Sequence, residues 1–69
     1  MKILIADIRN KKNISLNQLS QMTDIPKSTL NDYENEKYSP RIIFMEKIAI
    51  ALGVGIVDLF ESNYKYSKK

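Results

Sequence analysis

Between Lys27 and Asn35 the chain sets short hydrogen-bonding side chains (Lys27, Ser28, Thr29, Asn31, Asp32 and Asn35) around two larger ones, Leu30 and Tyr33. At roughly 100° per residue on a helix, Ser28, Asn31, Asp32 and Asn35 fall opposite Leu30 and Tyr33. Lys27 and Thr29 flank that face near the helix start. The stretch holds no nucleophile beside a base, so its chemistry is the close-range matching of donors and acceptors. A carboxamide can pair two-pronged with an adenine edge, a carboxylate can accept from the cytosine amino group, and hydroxyls serve either way. Any exposed helix is polar, however, and the face alone leaves recognition and plain solvation level.

The rest of the composition narrows the chemistry. Sixty-nine residues make one domain, able to bury only about 60% of the surface its unfolded chain exposes. Cys and His are both absent. Disulfides and Cys zinc sites are thereby excluded, and the usual nitrogen metal ligand and near-neutral general base are missing. There is no Gly-rich phosphate loop, and so small a core leaves little room for a pocket. The chain therefore reads as a non-enzyme with no cofactor, metal or small-molecule ligand. Eleven Lys and Arg against eight Asp and Glu leave a net charge of +3, a mild basic balance compatible with nucleic acid. The longest apolar run, Ile3 to Ala6, is too short for a bilayer span or a signal peptide. A cytoplasmic protein is expected.

Five short helices must position the polar face, with no strand signal and no internal repeat. The first runs from about Ile3 to Lys12, with Ile5 and Ile8 inward and Asn13 as a left-handed cap. Ser15 and Gln18 have the spacing of a capping box. The helix they open turns Leu19 and Met22 inward and stops near Thr23 and Asp24. Ile25 plugs the turn, and Pro26 suits the first turn of a third helix that runs to about Asn35 with Leu30 and Tyr33 inward. Glu36 to Pro40 reads as a loop. A fourth helix, about Arg41 to Leu52, carries Ile42, Met45, Ile48, Ala49 and Leu52 at core spacing and is capped by Gly53. A last helix, about Ile56 to Phe60, turns Leu59 inward. Two short helices joined by a few turn residues around Asp24 have the geometry of a helix-turn-helix.

An ordered string of residues strengthens this reading. It comprises Ile8-Arg9, Ile14-Ser15, Leu19-Ser20, Ile25-Pro26-Lys27-Ser28-Thr29-Leu30, Tyr33-Glu34, Pro40 and Ile48-Ala49-Ile50-Ala51-Leu52-Gly53-Val54. In it the chain from Ile8 to Phe60 resembles the phage-repressor (Cro-type, XRE-like) helix-turn-helix family, which binds operator DNA. The resemblance implies an all-α, lambda-repressor-like domain of five helices over residues 1–60, followed by a basic tail, 61–69. It implies that helices two and three read DNA, and that Arg9 and Glu34 pair to orient the reading helix. By position, Lys27, Ser28, Thr29, Asn31 and Asp32 would meet base edges and the nearby backbone. Asn17, at the start of helix two, would face phosphate, as would Asn35, Lys37, Tyr38 and Arg41. The chain departs from the family at Leu16 (commonly Gln), Ser20 (Ala), and Asp24 and Glu36 (both commonly Gly). Asp32 and Glu36 add negative charge near the expected DNA backbone.

A second surface is marked by apolar excess on the fourth helix. Ile43 and Ile50 are seven apart, with Phe44 beside them, and Val57 and Phe60 extend the patch. It is either a homodimer or docking surface, or a core wrapped further around the helix. The expected partner is double-stranded DNA, met as a homodimer on a palindromic site, by a sequence-specific regulator that represses by occupancy. The alternative is a protein-interaction module on the same fold, an antitoxin or adaptor with little specific DNA binding. Salt separates the two, because phosphate contacts weaken with a log–log slope of roughly −0.9 each.

Overall fold

The computed structural model describes residues 2–61; the basic tail beyond Glu61 lies outside the described residues. Four α-helices form the body: α1 (Ile5–Lys11), α2 (Leu16–Thr23), α3 (Lys27–Glu34) and α4 (Ile42–Leu52). One 3-10 turn, Ile56–Leu59, follows, and two short strands, β1 (Lys2–Ile3) and β2 (Phe60–Glu61), pair antiparallel with Lys2 opposite Glu61 and Ile3 opposite Phe60. α2 packs on α3 and α4, α1 on α3, and the 3-10 turn on α4. The largest fully buried side chains are Ile5, Leu19, Ile25, Leu30, Ile48 and Leu59. They come from α1, α2, the turn, α3, α4 and the 3-10 turn in order. Each contributes about 1.5–3 kcal/mol by leaving water, so the core ties every segment to every other.

Local signals set most of the boundaries. The Ser15 hydroxyl accepts from the Gln18 backbone N–H at 3.0 Å, and Gln18 Oε1 accepts from the Ser15 N–H at 2.7 Å, a complete capping box. Each helix ends on a left-handed residue: Asn13 (φ 60°), Asp24 (φ 60°), Glu36 (φ 60°) and Gly53 (φ 72°). After α1, α3 and α4 the next two N–H groups fold back onto the last turn. For α3, Glu36 donates to the Tyr33 carbonyl and Lys37 to that of Asp32, at 3.0 and 2.9 Å. This is the Schellman arrangement.

The structure corrects five expectations. The first helix starts at Ile5, because Ile3 is taken by β2 and the Leu4 N–H donates to the Leu59 carbonyl at 2.7 Å. The fifth helix is a single 3-10 turn, since Phe60 leaves helical geometry to enter β2. The α-helices therefore number four among the described residues, and a strand pair exists where no strand was expected. Met22 is 53% exposed, and its neighbour Thr23 is buried in its place. Both flank Leu19 on α2, and the turn into Ile25 closes over the Thr23 side. Ile42 is 69% exposed. It lies at the edge of the arc formed by Met45, Ile48, Ala49 and Leu52, in a first turn the core does not need. Among the described residues no helix is long and apolar enough to cross a membrane.

Candidate nucleic-acid interface

The site is built on α2, its turn and α3. Asp24 reverses the chain in a left-handed conformation that Asp and Asn tolerate better than most residues. Ile25, 1% exposed, plugs the space beneath the turn. Three side-chain hydrogen bonds hold it there. The Ser20 hydroxyl donates to the Ile25 carbonyl at 2.6 Å, and Thr23 Oγ1 donates to the Leu19 carbonyl at 2.7 Å while accepting from the Ile25 N–H at 3.3 Å. Thr23 is therefore a buried polar residue with its hydroxyl satisfied, which removes the main cost of burial. Pro26 stands at the N-cap of α3 with φ −54° and makes no side-chain cap bond.

α3 buries Leu30 and Tyr33, the Tyr33 ring lying 6.3 Å from that of Phe44. Lys27, Ser28, Asn31 and Asn35 are exposed, and Thr29 and Asp32 are half-buried. Ser28, Asn31, Asp32 and Asn35 share the side of α3 that faces away from the core, with Lys27 and Thr29 flanking it. No large apolar side chain interrupts them.

The far end of α3 is anchored to the start of the chain. Arg9 donates through Nε to Glu34 Oε2 at 2.9 Å and through Nη2 to Glu34 Oε1 at 3.1 Å. Its Nη1 donates to the Ile14 carbonyl at 3.0 Å. This two-pronged pair is 14% and 10% exposed at its side chains, so water screens it less than a surface pair. One guanidinium thus joins α1, the approach to α2, and α3. Glu36 adds a strut that sequence reading did not find: its Oε2 accepts from the Ile3 N–H at 2.9 Å. Its carboxylate is thereby engaged with β1. The left-handed conformation costs a non-Gly residue about 1–2 kcal/mol, and this hydrogen bond with the Schellman pair opposes that cost.

Asn17 is exposed in the first turn of α2. Lys37, Tyr38 and Arg41 are exposed in the segment after α3, with Lys37 Nζ 5.9 Å from the Tyr38 ring centroid. The residues expected at phosphate thus lie on exposed positions at the two ends of the helix-turn-helix, and Lys37 and Tyr38 are together. The residues assigned to the second surface separate. Ile43, Ile50 and Val57 are exposed, Ile50 at 81%, whereas Phe44 and Phe60 are half-buried against the core. At roughly 100° per residue, Ile43 and Ile50 lie nearly opposite the buried arc of α4. Met22 joins them, as an open groove of about 500 Å³ is lined by Met22, Thr23, Asp24, Lys47, Ile50 and Ala51. The Met22 contribution could not be read while that residue counted as core.

Residues 5–59 match the sequence model described as helix-turn-helix. The chain is also similar to a protein of Bacillus subtilis (strain 168) named as an SPbeta prophage-derived uncharacterized HTH-type transcriptional regulator, YopS. The two are 39% identical over 59 residues, which cover 84% of this chain and 80% of that protein.

Proposed function

The chain belongs to the XRE-type helix-turn-helix family, and on that premise we propose that it is a sequence-specific DNA-binding repressor that seats α3 in the major groove. The observation that carries this reading is the outward face of α3. It is short, hydrogen-bonding and free of large apolar groups, on a helix held from below by Leu30 and Tyr33 and at its end by Arg9. Asn31 pairs with adenine, Asp32 accepts from cytosine, and Ser28 and Thr29 adapt to either. Lys27 bridges to the backbone, while Asn17, Asn35, Lys37, Tyr38 and Arg41 grip phosphate on both sides. Occupancy of the site blocks transcription in the cytoplasm. The relative's name, a prophage-derived regulator, agrees in kind.

The partner in solution is a second copy. Ile50, 81% exposed, forms part of the wall of the open groove that Met22, Lys47 and Ala51 also line, so an apolar ridge and a groove share one face. A twofold axis requires that self-complementarity. Two copies so joined present two reading helices to half-sites about 34 Å apart.

Selection from a random duplex pool at low salt tests both parts. An enriched palindrome is the expected result, and its half-site spacing measures the dimer. An enriched single half-site retains the reader and removes the dimer. No enrichment overturns the proposal and transfers function to the apolar face around Ile50, as a protein-binding module.

A further inference from the structure

The hydroxyls of Ser20 and Thr23 stand on α2, touch no part of the outward face of α3, and meet on one residue. Ile25 is buried, and its peptide groups lie where water cannot reach them. The Ile25 carbonyl is met by Ser20 Oγ at 2.6 Å and the Ile25 N–H by Thr23 Oγ1 at 3.3 Å. The donation of Thr23 Oγ1 to the Leu19 carbonyl at 2.7 Å fixes the rotor that accepts from Ile25. Both polar groups of the residue that leads into α3 are thus gripped from α2, at positions three apart on one side of that helix. α3 has no side-chain cap of its own, because Pro26 occupies its N-cap. The start of the reading helix takes its direction from α2.

We infer that Ser20 and Thr23 are positioning residues for DNA recognition, a hydroxyl clamp that sets the angle between α2 and α3 through the backbone of Ile25. The inference rests on the DNA reading above and deepens it. Base reading by Ser28 and Asn31 requires α3 to enter the groove while Asn17 meets phosphate from α2, and those two contacts register only at one interhelical angle. Phosphate contacts tolerate a tilt because they are electrostatic and sequence-independent, whereas base-edge hydrogen bonds do not. Loss of the clamp therefore separates the two kinds of binding.

The test measures binding of the full chain to the duplex selected by the wild type and to a scrambled duplex, for Ser20→Ala, Thr23→Val and Thr23→Ser. Ser20→Ala and Thr23→Val are expected to reduce the ratio of specific to non-specific affinity about five- to tenfold, the weight of one net hydrogen bond. Non-specific affinity and its salt slope stay as in the wild type. Thr23→Ser keeps the hydroxyl and restores the ratio. Amide hydrogen exchange at Ile25 gives a readout independent of DNA, and it should accelerate in Thr23→Val beyond the change at Leu30. A purely structural role would lower melting temperature and scale both affinities down together, which would overturn the inference. So would an unchanged ratio in Ser20→Ala, a one-atom truncation that carries the test if Thr23→Val fails to fold. A wild-type chain that selects no sequence overturns the DNA reading and the inference with it. A specific wild type with indifferent variants overturns the inference alone.

Discussion

Helices α3 and α4 share one core and end in the same way, with a left-handed residue and two N–H groups folded back on the last turn. What they leave outside is opposite. α3 presents Ser28, Asn31 and Asn35, and its ends are held by side-chain hydrogen bonds from Ser20, Thr23 and Arg9. α4 presents Ile43 and Ile50, and burial along one stripe holds it. A surface that must read donor and acceptor positions needs its helix fixed in angle as well as in place, and directional bonds supply that. A surface that meets another apolar surface needs area, which tolerates a few degrees of roll.

The sharpest way to break the comparison is to attack what the two helices share. Leu30→Ala on α3 and Ile48→Ala on α4 should each cost about 2–5 kcal/mol, seen as a large fall in melting temperature. A mild loss at one of them would mean that the core is not common to both. Arg9→Ala, which touches only the directional scaffold, leaves Glu34 half-enclosed without its partner and should cost about 1.5–3 kcal/mol. Specific DNA affinity should drop with it in titration, and unchanged melting would remove the architectural role. Asn31→Ala should cost about 1–3 kcal/mol of discrimination at one base pair with melting untouched. Equal losses on every sequence would count against direct reading.

Two further changes have smaller effects on the folded chain. Ile50→Glu should move stability by no more than about 0.5 kcal/mol while dissociating the dimer in sedimentation. A dimer that persists would free the α4 face of its assigned role. Lys37→Ala should weaken all duplexes alike and reduce the log–log salt slope by about 0.9. A sequence-dependent loss there would blur the line between gripping and reading.

How much of this was legible in the sequence follows distance along the chain. The Ser15–Gln18 box, the left-handed Asn13, Asp24 and Gly53, and the inward Leu30 and Tyr33 are all decided within a turn or two. The Arg9–Glu34 pair spans 25 positions and became readable only through the resemblance to a family. Periodicity placed Met22 and Ile42 in the core because each is three positions from a buried residue. A short helix buries an arc narrower than the one such spacing allows. Thr23 was passed over because a threonine carries no apolar signal, although at 5% exposed it is buried beside Leu19 and Ile25. The strands hold two residues each, too few to alternate, and the partner of Glu36 lies 33 positions away. Nothing local announces either.

That small ribbon also gives the molecule an order in time. Lys2 and Glu61 lie at opposite ends of the described chain, and closing so long a loop carries an entropic cost that local helices do not meet. Local helices and turns form faster than contacts between distant segments, so the ribbon is expected to close after them. Native-state opening runs in reverse, beginning where few contacts resist it. When β1 lifts away, the Ile3 N–H leaves Glu36, and the last turn of α3 loses its strut. The first turn, gripped by the two hydroxyls of α2, feels none of this. The last turn then rests on the Arg9–Glu34 pair, while the turn that carries Lys27, Ser28 and Thr29 keeps its grip from α2.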